Sequence, residues 1–402
     1  MTKFKTPYFL IDEGIIEKNC KVLDRVRKEA GCKILLAQKA YSCYDTYPLI
    51  AKYLDGTTAS GLFEARLGYE SFRATRGISA QAGGSSEILR SAQDDKKETH
   101  CFAPAFTDAD MAELVKICDH IVFNSVTQLL KHHKACRANN VQISVRVNPE
   151  CKTQESDIYD PCAPLSRFGI RAEEFEHNAE TILPLVDGLH FHTLCEQDLE
   201  PLKKTLTVFE QKFGEYIKGM KYVNFGGGHH ITRAGYDVDG LIALVRDFQT
   251  RYEVQVYLEP GEAVVLDAGT LHSTVLDIVH NGRDIAILDT SAACHNPDII
   301  ETQHDYMPPV RGATQGTTGK GFLYRLAGNT CLAGDIIGDY VFKAPLKSGS
   351  EIIFENMALY TMVKTNMFNG INLPAIYVKR LNGKIELLCE FGFGDYKGRL
   401  GR

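Results

Sequence analysis

Lys39 stands directly after a short apolar run, in Leu35-Leu-Ala-Gln-Lys-Ala-Tyr. An amine held in a partly dry site has a lowered pKa and can form a Schiff base, whereas a lysine on a rim only snorkels to water. His192 follows another such run, in Leu189-His-Phe-His-Thr. Its imidazole could lie flat against an aromatic ring, or join His190, His229 and His230 around a metal. Gly226-Gly-Gly228 follows Tyr222-Val-Asn-Phe. Three glycines let successive N–H groups approach a phosphate, although a plain tight turn has the same composition. The GxGxxG dinucleotide fingerprint is absent. Glu259, in Glu259-Pro-Gly261, could be a general base, a metal ligand or the partner of a pyridine nitrogen. Only the last role accommodates Lys39, the glycines and His192 together, because a carboxylate there keeps the ring protonated and a better electron sink.

These residues need strand ends to hold them. Asp12 to about Ala30 has helical apolar spacing, with Asp12 to cap it and Gly31 to end it. Eight short apolar runs then alternate with helical stretches: 33–38, 56–59, 99–103, 120–123, 142–147, 187–191, 221–225 and 254–258. This rhythm predicts a parallel sheet, and eight strands predict an α/β fold with a closed (β/α)8 TIM-type barrel, an open doubly wound sheet being the rival. Lys39, Ser60, Asn124, Asn148, His192, Gly226 and Glu259 follow the runs, at the strand ends where barrels keep their chemistry.

After Gly261 the segments become short and β-rich, among them Ala263-Val-Val-Leu, Ile285-Ala-Ile-Leu, Tyr340-Val-Phe, Glu351-Ile-Ile-Phe, Ala375-Ile-Tyr-Val and Ile385-Glu-Leu-Leu. They predict a C-terminal antiparallel β domain, sandwich- or barrel-like, joined by the strand Tyr8-Phe-Leu-Ile. The expected division is 1–30 (first strand and helix), 31–262 (barrel) and 263–402 (β domain). Residues 74–97, rich in Gly, Ser, Ala, Gln and charge without an aromatic, read as a flexible surface insertion. In the β domain, Cys331 and Asp335 share the Gly-flanked loop Gly328-Asn-Thr-Cys-Leu-Ala-Gly-Asp. Tyr360, in Asn356-Met-Ala-Leu-Tyr-Thr, could give a phenol to a phosphate or simply pack.

The bulk values bound the rest. A net charge of −6 over 402 residues disfavours nucleic acid as a partner. No apolar run approaches the ~18 residues of a membrane span, and the N-terminus lacks a signal-peptide core. Twelve cysteines without a CxxC pair fit a reducing cytoplasm better than a disulfide framework.

With these pieces in place, the chain resembles the fold type III pyridoxal-phosphate enzymes, the group of alanine racemase, ornithine decarboxylase and diaminopimelate decarboxylase. Within it the chain is most similar to the carboxynorspermidine/carboxyspermidine decarboxylases. The resemblance rests on Tyr159-Asp-Pro-Cys-Ala-Pro-Leu-Ser-Arg-Phe-Gly169, His190-Phe-His-Thr-Leu-Cys-Glu196, Gly226-Gly-Gly-His-His-Ile-Thr-Arg233 and Glu259-Pro-Gly-Glu-Ala263. It implies pyridoxal 5'-phosphate bound by Lys39, stacked on His192, held at its phosphate by Gly226, Gly227, Gly228 and Tyr360, and paired with Glu259, with Ser60 also in the cofactor site. It implies a homodimer in which Cys331 enters the partner's site as a catalytic group. Asp335, Glu262, Asp298 and Arg167 would meet a polyamine-like substrate, and no metal is implied. Related decarboxylases read Glu-Pro-Gly-Arg, whereas this chain has Glu262, which pairs with an ammonium rather than a carboxylate. That disfavours diaminopimelate, the rival substrate. A non-catalytic pyridoxal-phosphate-binding protein and a metal-dependent barrel hydrolase are the rivals from other classes.

Overall fold

The computed structural model describes residues 4–73 and 97–401, so the expected insertion 74–97 lies outside the described residues apart from Lys97. The chain divides into two compact units, Glu17–Val264 and Met1–Ile16 with Val265–Arg402.

The first unit begins within the helix α1 (Glu13–Ala30), whose buried Cys20, Leu23, Val26 and Ala30 recur at helical spacing. Gly31, at φ +69°, ends the helix in the left-handed region. The strand β1 (Tyr8–Asp12) precedes α1 and belongs to the other unit. Eight strands then close a ring: β2 (Lys33–Ala37), β3 (Gly56–Ala59), β4 (Glu98–Phe102), β5 (His120–Phe123), β6 (Gln142–Asn148), β8 (Gly188–His190), β9 (Tyr222–Asn224) and β10 (Gln255–Leu258). Each pairs in parallel with the next, and β10 returns to β2. All eight expected runs form these strands, so the barrel holds against the open sheet. A two-residue strand, β7 (Ile170–Arg171), adds to the edge of β6. The runs are continuously apolar because strands such as β5 are buried on both faces. Outer helices start at the caps their sequences supply: the Thr107, Ser125 and Asp237 side chains accept from the N–H groups of Asp110, Gln128 and Gly240.

The second unit holds one sheet in the order β13-β15-β14-β12-β11-β1-β17-β18, with β16 also on β11. Its strands are β11 (Gly269–His280), β12 (Asp284–Leu288), β13 (Ala313–Gln315), β14 (Phe322–Ala327), β15 (Ile336–Phe342), β16 (Glu351–Phe354), β17 (Ala375–Lys379) and β18 (Ile385–Cys389). Its core gathers Phe9, Leu271, Leu288, Leu326, Tyr340 and Phe354. Two corrections follow. The sheet is mixed rather than wholly antiparallel, since β1 runs parallel to β17 and β12 parallel to β14. Ala263-Val-Val-Leu is not a strand: Glu262–Val265 is a helical turn closed by Val264 N–H donating to the Gly261 carbonyl at 3.1 Å. Apolar content marked that segment as buried without distinguishing a turn of helix from a strand.

At the strands' N-terminal ends Lys33 pairs with Glu98, which also accepts from His100 Nε2 at 2.9 Å. His100 stacks on His120 with centroids 3.9 Å apart. Burial opposes the charge on Glu98, but the His100 hydrogen bond and the neighbouring cations hold its carboxyl well below the usual range. This end of a barrel carries stability rather than catalysis. Glu98→Ala should lower unfolding free energy by about 2 kcal/mol, because it strands His100 and Lys33 without a partner. Urea denaturation checks this, and the cofactor-bound absorbance spectrum should not change.

Candidate active site

Four neighbouring barrel strands, β8, β9, β10 and β2, carry the site at their C-terminal ends. The parallel register sets His190 beside Asn224 and Asn224 beside Tyr257, two residues before Glu259. Asn224 Nδ2 therefore donates to Glu259 Oε1 at 2.8 Å, and His190 Nε2 lies 3.5 Å from Glu259 Oε2. Glu259 is 8% exposed. Burial alone would favour its protonated form, but His190 and Asn224 outweigh that and bring its pKa down to about 2. Burial lowers His190's own pKa despite Glu259, so the pair is a neutral imidazole donating to an anion.

The glycine loop turns immediately past β9. Gly226 and Gly228 have φ of +69° and +81°. A Cβ on Gly226 would fall 2.5 Å from the Phe191 carbonyl oxygen, and one on Gly228 would fall 2.1 Å from that of Leu194. Only glycine fits either place. Gly227 N–H donates to His192 Nδ1 at 2.7 Å, so that nitrogen is unprotonated and the proton of the neutral ring sits on Nε2. Burial, followed by the charges of Lys39 and Arg146, holds His192 well below its ordinary pKa. Two of the three glycine N–H groups are thus committed within the site, that of Gly227 to His192 and that of Gly226 to Asn224 Oδ1 at 2.8 Å, rather than free to cradle an anion. Lys39 is exposed, two residues past β2, where Ala37 N–H donates to the Pro260 carbonyl at 3.1 Å and ties the lysine's strand to the Glu259 turn. Ser60, also exposed, donates its N–H to Glu64 Oε2 at 2.6 Å. Glu262 is 2% exposed in the turn after Gly261 and makes no ion pair among the described residues.

Other expected residues have different surroundings. Arg167 is exposed, its guanidinium over the Phe168 ring at 4.3 Å and its carbonyl held by Asn124 Nδ2. Cys331, Asp335, Asp298 and Tyr360 lie in the Val265–Arg402 part of the second unit. Cys331 is exposed, and Tyr360 is half-buried at φ +48°. Asp298 is paired with Lys364 Nζ at 2.7 Å, and Asp335 is buried under hydrogen bonds from its own unit. Asp335 therefore has no oxygen open to an amine, and Asp298 already has a cation on Oδ1.

Asn224 and Arg146 went unassigned in the sequence, and His190 was read there only as a candidate metal ligand. His190 and Asn224 hold Glu259 ionised. Arg146, 4% exposed, lies between the Phe102 and Phe168 rings at 4.7 and 4.5 Å and donates to the His192 carbonyl at 3.0 Å. Burial brings its pKa down to about 10. A charged residue in the midst of Ile143-Ser-Val-Arg-Val was the available signal.

The histidines do not gather into a metal site. His190 and His192 are committed to Glu259 and Gly227, and His229 Nε2 faces the Gly226 carbonyl at 3.1 Å. Ligand atoms of Glu98, His100 and His120 lie within 4.8 Å of one another at the opposite barrel end. Their two rings stack within 12° of parallel, so no ion can lie in both ring planes, and Lys33 already neutralises the carboxylate. The strand-end residues do fit pyridoxal phosphate: a glycine cradle that a Cβ would fill, a neutral imidazole fixed through one nitrogen, a buried anionic carboxylate and an accessible amine. In this set Lys39 would hold the carbonyl carbon, the glycine loop the phosphate and Glu259 the ring nitrogen.

Comparison with known proteins agrees with that chemistry. The family described as pyridoxal-dependent decarboxylase, C-terminal sheet domain, matches residues 41–358. Carboxynorspermidine/carboxyspermidine decarboxylase of Campylobacter jejuni is 39% identical over 407 aligned residues, covering 99% of each chain. Carboxyaminopropylagmatine decarboxylase of Synechocystis is 36% identical, covering 100% of this chain and 97% of that one. The crystal structure of the Campylobacter jejuni carboxynorspermidine decarboxylase complexed with norspermidine has a TM-score of 0.85 at 38% identity, covering 98% of this chain and all of that one.

The buried histidines set an acid limit. Burial lowers the pKa of His229 to about 4, below its unfolded value near 6.5. The unfolded chain therefore takes the proton first, so this stability is complete above pH ~6.5 and is lost as pH falls towards 4. Melting temperature should decline across that window. His229→Asn, which keeps a donor for Gly226 but cannot titrate, should flatten the decline by one proton's worth.

Proposed function

Because this chain belongs to the pyridoxal-dependent decarboxylases, we propose that it releases carbon dioxide from a carboxylated polyamine, carboxyspermidine or carboxynorspermidine. The observation that carries the reading is Glu259, a buried carboxylate held ionised where a ring nitrogen would need it. The substrate class draws on the full-length relatives and on Glu262, a buried acid without a protein cation, which suits an ammonium tail and repels a second carboxylate. The twelve free cysteines support a reducing cytoplasm.

When bound, pyridoxal phosphate supplies a conjugated cationic ring that accepts the electron pair freed when the carbon–carboxylate bond breaks. Lys39, exposed past β2, would hold the cofactor through its amine. Glu259 keeps the proton on the ring nitrogen, with His190 and Asn224 stabilising the anion through either charge state of the ring. His192, neutral and fixed by Gly227, presents its face without adding a competing charge. In the glycine loop Gly228 keeps its N–H for the phosphate, whereas Gly226 N–H donates to Asn224 Oδ1 at 2.8 Å and so orients the amide that holds Glu259. In a homodimer, the Cys331 thiol of one subunit gives its proton to the carbon that lost carboxylate in the other, and the resulting thiolate regains a proton from solvent.

Carbon dioxide release decides the substrate. Carboxyspermidine, carboxynorspermidine, carboxyaminopropylagmatine and diaminopimelate should be compared with the loaded enzyme. Turnover of carboxyspermidine or carboxynorspermidine at least about 100-fold above diaminopimelate is expected, because diaminopimelate would leave a carboxylate facing Glu262. Preference for diaminopimelate would contradict the role given to Glu262. Lys39→Ala should lose the lysine-bound cofactor's absorbance band altogether.

A further inference from the structure

Asp335 is 3% exposed and receives five hydrogen bonds. Its Oδ2 accepts from Ser291 Oγ at 2.9 Å, Thr330 Oγ1 at 2.6 Å and Thr330 N at 3.2 Å. Its Oδ1 accepts from Ala292 N at 2.7 Å and Ala293 N at 3.4 Å. A carboxylate offers about four lone-pair directions, so this one has none left for a substrate ammonium. It is instead the centre of a closed loop. Gly328 N donates to the Asp335 carbonyl at 2.9 Å and Asp335 N to that of Leu332 at 3.0 Å. A Cβ on Gly328 would lie 2.2 Å from Asp335 Oδ2. Cys331 is exposed at the outer turn of this loop, together with Leu332 and Ala333.

A second clamp closes on Cys331 from the other side. Its N–H donates to Asn369 Oδ1 at 2.8 Å. Asn369 has φ +55°, a left-handed conformation that asparagine tolerates better than most residues. Its segment is tied to the same turn that Asp335 caps: Asn366 Nδ2 donates to the Ala293 carbonyl at 2.7 Å and Asn366 N to that of Cys294 at 2.9 Å. Both clamps therefore refer Cys331 to one anchor, residues 291–294.

We propose that Asn369 is a positioning residue for the Cys331 thiol, acting through the Cys331 amide, with Asp335 as the fixed centre of the loop it steadies. This rests on the reading of Cys331 as the proton donor. Proton return needs the sulfur within hydrogen-bond reach of one carbon, and a displacement of 1 Å at such a step costs roughly 100-fold.

Asn369→Gly is the test, since glycine keeps the left-handed backbone without strain and removes the side chain that carries Oδ1. In the cofactor-loaded enzyme kcat should fall about tenfold with KM within about twofold, because the amide is loosened rather than lost. Alkylation of Cys331 by iodoacetamide, followed by peptide mass spectrometry, should accelerate at least about threefold as the freed loop exposes the thiol. Asn369→Asp, which retains the acceptor, should restore both values. In a Cys331→Ala background Asn369→Gly should cost nothing more. An unchanged kcat and alkylation rate in Asn369→Gly overturns the proposal, as does a full additional loss in the double variant. A fully active Cys331→Ala single variant overturns the underlying reading of Cys331 instead, whatever Asn369→Gly does.

Discussion

A carboxylate removed from water prefers to hold its proton, by several kcal/mol if nothing compensates. The site depends on reversing that preference at Glu259. One donor comes from Asn224 and one from His190, and each is the last residue of a strand adjacent in the barrel. The register His190–Asn224–Tyr257 is therefore a condition of the chemistry as well as of the sheet. A slip of one residue between any two of these strands would turn the donor to the other face and leave a buried acid unpaired.

Closure of the ring extends the same logic. β2 pairs with β10, which places Lys39 beside the Glu259 turn although 220 positions separate them in the chain. The glycine loop reaches back to His192 through Gly227, so the group that would hold phosphate and the group that would stack on the ring are one hydrogen-bonded piece. Arg146 adds a further constraint by holding the His192 carbonyl from inside the barrel. The aromatic rings on either side of its guanidinium offset part of the cost of burying an unpaired cation.

Much of this was legible in the residues. Strands buried on both faces leave continuous apolar runs, and the polar residue that follows each run marks a barrel's working end. Lys39, His192, Gly226 and Glu259 were singled out by that position, and each does follow a barrel strand. What stayed hidden is what depends on convergence. An aspartate in a glycine-rich loop looks available, and nothing in the chain announces that Ser291, Ala292, Ala293 and Thr330 all meet Asp335. Asp298 likewise finds Lys364 from 66 positions away. The parallel pairings of β1 with β17 and β12 with β14 were equally invisible, because alternation along a strand does not encode its partner's direction.

The central claim is that Glu259, held ionised by its neighbours, keeps the cofactor ring nitrogen protonated. Nitrogen-15 NMR of the protein loaded with ring-labelled pyridoxal phosphate measures that proton directly. A shift typical of a protonated ring nitrogen, constant from about pH 6 to 9 and lost in Glu259→Gln, is the predicted result. An unprotonated nitrogen in the unaltered protein at neutral pH would contradict the account.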